Sequence, residues 1–195
     1  ISIEALRVLR SLPLTHLALS STQVKYADLP ELVTLFPLLE KFDGRRLQGE
    51  MGAGLSPLAE LSHLEAMIVD ARDITAGPPH HLAQFETLRK LYLYYGQFPT
   101  GLAAELESLS GITELYLIGP NFKEGAFSEL CDNTTLQRLE IEEWPGSDTE
   151  IMQLAGMENL KRLRIRGANW TAVGAQAFHE LRPDVAIYGD FSIPA

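Results

Sequence analysis

Few side chains in this 195-residue sequence could do covalent or metal chemistry, and they lie apart. The single cysteine, Cys131, follows Leu130 in a helical stretch. One thiol builds neither a disulfide framework nor a multi-thiolate metal site, and a packed core thiol is its expected state. His80 and His81 open a helical segment with no carboxylate or thiol at ligand spacing, so no metal is expected there. There is no glycine-rich loop leading to Lys and Ser or Thr, and no G-x-S-x-G elbow. Glu140 and Glu142 pair two carboxylates at strand spacing, but an exposed strand does not desolvate them as acid–base work requires. His16 near Asp43, with Lys41 between them, is the thinnest catalytic arrangement. The expectation is no enzyme, no cofactor, no metal and no small-molecule substrate.

The residue types that recur at strand spacing are those of recognition. Tyr92 and Tyr94 alternate in LYLYY, Tyr116 and Ile118 in LYLIG, and Arg162, Arg164 and Arg166 in RLRIR. Tyr and Arg are among the side chains most enriched where proteins bind one another. What they do depends on the elements that hold them.

Those elements repeat. Leu64, Leu88, Ile112, Leu136 and Leu160 stand 24 residues apart, as do Met67, Leu91, Leu115, Leu139 and Leu163, and Val69, Leu93, Leu117, Ile141 and Ile165. Two upstream apolar columns keep the same period: Leu58, Leu82, Leu106, Leu130, Leu154 and Phe178, and Leu61, Phe85, Leu109, Met157 and Leu181, broken by Asn133. A downstream column holds Ile74, Phe98, Phe122 and Trp170, with Gly146 as its gap. The N-terminal copies step by 25: Leu14, Leu17 and Leu19 with Val24, then Leu39, Phe42 and Gly44, the last leaving a core position without a side chain. At the C-terminus, Val185 with Ile187 is the favoured inward pair over Ile187 with Gly189, because both are β-branched.

Each unit carries two periods. LRKLYL (Leu88 to Leu93) ends in the alternation of a short strand. GLAAELESLSG spaces Leu102, Leu106 and Leu109 along one helix face. Turn residues lie between, as in Gly77-Pro78-Pro79, Gly119-Pro120-Asn121 and Pro145-Gly146. One unit cannot bury its apolar face alone, so the units stack. The expected fold is α/β: a right-handed β-α superhelix of about eight repeats in a single domain, residues 1–195, with a parallel sheet on the concave face and helices on the convex face. Residues 1–12 are the helical half of an earlier unit or a cap, and 188–195 form a tail.

The side chains flanking the inward residues form three columns across the sheet. The first is His16, Lys41, Ala66, Lys90, Glu114, Arg138 and Arg162. The second is Ala18, Asp43, Ile68, Tyr92, Tyr116, Glu140 and Arg164, and the third Ser20, Arg45, Asp70, Tyr94, Ile118, Glu142 and Arg166, then Tyr188. Neighbouring strands lie about 4.8 Å apart, so Tyr92, Tyr94, Tyr116, Ile68 and Ile118 should form one patch. Beside it run an acidic strip, Glu140 and Glu142 next to Trp144, and a basic strip, Arg162, Arg164 and Arg166. These eleven residues are the expected partner-binding set. The charged strips have a second reading: Glu114 between Lys90 and Arg138, Glu140 facing Arg164 and Glu142 facing Arg166 would solubilise the sheet with no ligand. Trp170 belongs to the apolar column and is expected in the core, whereas Trp144 falls outside it and is expected to be partly exposed. Asn133-Thr-Thr and Asn169-Trp-Thr match the glycosylation pattern, with Asn169 the more exposed.

The LxxLxL pattern, carried through nearly the whole chain, resembles the leucine-rich repeat family. The chain departs from that family's commonest form, holding Thr22, Arg72, Gly96, Pro120, Trp144 and Ala168 where Asn is usual. The buried asparagine ladder is therefore absent, and loop backbone groups must be satisfied otherwise. The unit SSTQVKYADLPELVTLFPLLEKF and the ending HELRPDVAI look like bacterial repeats of this family. The resemblance implies a binding scaffold with its ligand on the concave strand face.

Composition narrows the partner. Hydrophobic residues make up 46% and charged residues 22%, which are globular values. The net charge of −10 disfavours nucleic acid and anionic membranes as partners. No apolar run is long enough to span a bilayer and no signal peptide opens the chain; a lone thiol leans towards the cytoplasm. The expected function is a protein-interaction module binding a protein partner. The alternative is a structural or docking repeat segment of a larger protein, in keeping with Ile1 in place of an initiating Met.

Overall fold

The computed structural model describes residues 1–50, 54–75, 81–98, 101–109, 111–167 and 169–190. The turn at Gly77-Pro78-Pro79, His80, Ala168 and the end of the tail lie outside the described residues, as do the side chains of His81 and Leu102. Among the described residues, one strand per unit emerges: β1 (His16–Ala18), β2 (Lys41–Asp43), β3 (Ala66–Asp70), β4 (Lys90–Phe98), β5 (Glu114–Phe122), β6 (Arg138–Glu142), β7 (Arg162–Arg166) and β8 (Ala186–Gly189). They form a single parallel sheet in chain order, the open α/β sheet that the 24-residue repeat predicts. The connections carry short helices: α1 (Ile3–Leu6), α2 (Leu29–Leu35), α3 (Ala71–Thr75), α4 (Leu102–Ser108), α5 (Ala126–Cys131), α6 (Asp148–Ile151) and α7 (Ala172–Leu181), with 3-10 turns such as Ser56–Glu60 and Met152–Gly156 in other units. Among the described residues no helix is long and apolar enough to cross a membrane.

Register follows the repeat. Leu91, Leu115, Leu139 and Leu163 pair in succession, as do Leu93, Leu117, Ile141 and Ile165, and all are buried. Leu58, Leu82, Leu106, Leu130, Leu154 and Phe178 of the helical segments are fully buried against them. Helices therefore cover one face of the sheet, and the side chains between the leucines stay on the open face.

The breaks in the columns are filled from nearby. A Cβ on Gly44 would collide with the Phe42 ring, and Leu47 closes the same space; the position is not a hole. A Cβ on Gly146 would collide with the Trp144 indole, which packs on Phe127 (ring centroids 4.5 Å apart) and Phe122 (5.5 Å). Trp144 thus occupies the gap in the Phe122–Trp170 column and is buried, which corrects the expectation of partial exposure. Asn133 is also buried, its Oδ1 accepting the Thr135 and Leu136 N–H groups at 3.0 and 2.9 Å, so it is no open glycosylation site; Asn169 is exposed. The thiol of Cys131 is buried and pushed up to about 12 by desolvation.

Two C-terminal expectations also change. Ile187 pairs with Leu163 and Gly189 with Ile165, so the last strand takes the register that was not favoured. Val185 is still buried, one step ahead of the strand on the same pleat. Leu181 ends its column exposed, because no described unit stacks beyond it.

Without an asparagine ladder, assorted side chains reach back one unit to loop carbonyls: Gln48 to Thr22, Thr87 to Leu64, Asn159 to Thr134 and Asn169 to Pro145. Arg182 makes more of these bonds than any one of the others, donating to Ala155, Met157 and Leu160 at 2.8–3.1 Å.

Candidate functional site

The open face of β3–β8 gathers ten of the eleven expected site residues and excludes Trp144. Strand alternation sends Tyr92 and Tyr116 to the same side in direct register, and their rings stack 4.0 Å apart at 8°. Tyr116 is buried, stacked on Tyr92 and with the Arg138 guanidinium over its ring, 5.2 Å from the centre, while Tyr92, Tyr94, Ile68 and Ile118 remain half-exposed. The patch is therefore less open than expected, with one tyrosine serving as its floor. Between it and β6 lies a small cleft of about 160 Å³ reached by Tyr94, Ile118, Glu140 and Glu142. The Arg45 guanidinium lies 4.3 Å from the Tyr94 ring centre while bonding Asp43, so Asp43 is committed to Arg45 and His16 bonds Thr15 instead.

A chain of ion pairs runs from the patch across the sheet. Tyr116 donates its hydroxyl to Glu114 at 2.6 Å, and Glu114 also meets Lys90 at 3.1 Å and Arg138 at 3.7 Å. Burial would raise the Glu114 carboxyl, but these donors outweigh it and hold it below its ordinary value. Burial, then the bond to Glu114, raises the Tyr116 hydroxyl, which stays protonated. Glu140 is buried, with one oxygen on Arg138 and the other 3.5 Å from Arg164. Glu142 meets Arg166 at 3.7 Å. All the cross-strand pairs expected from sequence form, and the pairing of Arg138 with Glu140 along one strand adds to them.

Beyond this chain the face opens into a cleft of about 650 Å³, its polar lining being Arg138, Arg162, Arg164, Arg166 and Tyr188 with Glu140 as the one carboxylate among the described residues. Arg162 lies over the Tyr188 ring, 5.8 Å from its centre. Arg138 and Tyr188 are the additions here. Both stand in the sequence columns, but only the register of β8, which sets Tyr188 beside Arg164, assigns Tyr188 to the cleft. Among the described residues no group of three or more His, Cys, Asp or Glu side chains could hold a metal ion.

No family model and no curated protein matches this chain. Among solved structures it is similar to an internalin from Listeria monocytogenes, at 13% identity and a TM-score of 0.49, covering 97% of this chain and 70% of that one. It is also similar to a leucine-rich-repeat protein of Leptospira interrogans, at 16% identity and a TM-score of 0.39, covering 95% and 62%. A third is the plant peptide hormone receptor RGFR1 in complex with RGF2, at 15% and 0.38, covering 80% and 32%.

Proposed function

We propose that this leucine-rich-repeat solenoid is a protein-interaction module that seats a protein partner on its open strand face. The observation that carries the reading is the preformed aromatic floor: Tyr92 stacked on Tyr116, flanked by half-exposed Tyr94, Ile68 and Ile118. Rigid aromatic area loses little side-chain entropy on binding, and contiguous apolar surface on a folded chain usually has a use. Opposed charge on the adjoining strands supplies steering and register. Trp144, buried in the core, is no part of the surface.

The test is Tyr94→Ala combined with Ile118→Ala. Neither side chain is buried or bonded as Tyr116 is, so the fold should survive, with thermal unfolding shifted by only a few degrees. A partner captured by the wild-type chain from its source lysate should be lost by this variant. Equal capture by both would remove the site from the aromatic patch.

The alternative reading, a docking segment within a larger protein, draws on exposed apolar side chains at both ends of the stack: Val8 at one, Val173 and Leu181 at the other. Val173→Ser with Leu181→Ser should leave capture intact if the open face binds, and abolish it if the end does.

A further inference from the structure

We infer that the partner presents an extended acidic segment, its carboxylates at alternate positions, to the arginine row Arg162, Arg164 and Arg166. The inference rests on the open face being the binding surface, and it names the chemistry that this part of the face selects.

The argument begins with unequal charge. On the open face of β4–β7, five cations, Lys90, Arg138, Arg162, Arg164 and Arg166, share three carboxylates, Glu114, Glu140 and Glu142. Both oxygens of Glu140 are already taken, and Glu142 reaches Arg166 only at 3.7 Å. Arg162 meets no carboxylate among the described residues and rests over the Tyr188 ring. Positive charge is thus left over in a cleft of about 650 Å³, on a chain whose net charge is −10. An anionic segment is drawn to this place and repelled from the rest of the surface, which fixes where it docks.

Geometry then selects the form of the anion. RLRIR sends its three arginines to one face at two-residue intervals, about 6.7 Å apart. An extended peptide with acidic residues at every second position has the same period, so each carboxylate can meet one guanidinium in the planar, two-bonded geometry arginine favours. On the neighbouring strand Ala186 stands opposite Arg162 and leaves room there, while Tyr188 stands opposite Arg164 and walls the cleft on that side. A long polyanion fits worse, having to cross Glu142 and exposed Glu143.

The probe is a capped hexapeptide with Asp at its first, third and fifth positions and Ser between, titrated against the intact chain at low salt. Its comparison is the same composition with the three Asp contiguous. The alternating peptide should bind several-fold more tightly, and Arg162→Gln, which breaks no ion pair among the described residues, should weaken it roughly tenfold. Equal affinity for the two peptides would overturn the alternation, and an unchanged affinity in Arg162→Gln would overturn the site. Inorganic phosphate binding as tightly as the peptide would reduce the cleft to a simple anion site and likewise overturn the inference. If no peptide binds while partner capture still depends on Tyr94 and Ile118, the acidic-segment inference falls alone and the open-face function stands.

Discussion

The indole of Trp144 lies over the α-carbon of Gly146, in the space a side chain there would occupy. The glycine breaks an apolar column, and the tryptophan two residues earlier repairs it by packing on Phe122 and Phe127. Phe42 and Gly44 repeat the device in an N-terminal unit. Trp144→Ala should therefore cost about 3–5 kcal/mol, the range for removing a buried large aromatic. Gly146→Ala, which forces the ring out of its place, should cost about 1–3 kcal/mol. Urea unfolding measures both, and a loss below about 1 kcal/mol for Trp144→Ala would refute the core assignment. Neither variant should change partner capture once folded.

Tyr26 and Asp73 join units far apart in the chain. The buried Tyr26 hydroxyl donates to Asp73, which also accepts the Asp70 N–H at 3.2 Å. Desolvation raises the Asp73 carboxyl despite these bonds, so the folded state holds that proton more tightly than the unfolded chain does. Its contribution is stabilising below the free-aspartate value of 3.8 and is lost as pH rises through the higher folded value. Tyr26→Phe removes a donor from the ionised carboxylate and should cost about 1–3 kcal/mol at neutral pH, less in acid. Unfolding free energies compared at the two pH values decide it; a cost independent of pH would show that the carboxylate is not what Tyr26 serves.

The stacking was legible in the sequence because the inward leucines repeat every 24 residues and a strand permits only one face for them. The cross-strand charges were legible for the same reason, since register follows from the repeat. Trp144 was misread because a column counts positions, whereas an aromatic ring reaches across two of them to fill a glycine gap. Tyr116 was expected to be open for a related reason: alternation assigns a face but does not say that Tyr92 and Arg138 will both pack over the Tyr116 ring. The last register went wrong because Val185, Ile187 and Gly189 share one pleat, and β-branching could not outweigh the pairing of Ile187 with Leu163.

Arg182 anchors the last unit to the one before it. Its guanidinium donates to the carbonyls of Ala155, Met157 and Leu160 and pairs with Asp184 at 2.8 Å. Three loop carbonyls thus share one side chain as donor, that of Met157 also accepting the Leu160 N–H at 3.1 Å. Arg182→Ala should cost about 1–3 kcal/mol, and stacked repeats should confine the loss to the end. Hydrogen exchange should then speed up in α7 and β8 while β4–β6 keep their protection. Arg182→Lys should recover only part, because an ammonium cannot span the three acceptors in the plane of a guanidinium fork. Faster exchange throughout the chain would contradict nearest-neighbour coupling.

Glu114 ties the aromatic floor to the ion-pair chain, and this link has a pH signature. Burial would lift its carboxyl, yet the Tyr116 hydroxyl, Lys90 and Arg138 together hold it below the ordinary value of 4.5. A carboxylate lowered on folding stabilises above its unfolded value, and that contribution is lost as pH falls through the folded one. Tyr116→Phe keeps the ring stack with Tyr92 but removes the donor to the charged oxygen at 2.6 Å. It should cost about 1.5–3 kcal/mol at neutral pH and move acid unfolding to higher pH. Glu114→Gln, with no charge to lose, should flatten the same limb of the stability curve. Unfolding free energy measured between pH 3 and pH 7 separates the cases: curves for wild type and Tyr116→Phe that differ by a constant would mean that Glu114 is held by its lysine and arginine alone. A Tyr116→Phe chain that is destabilised yet still captures the partner would show that the hydroxyl braces the fold and is not itself needed for binding.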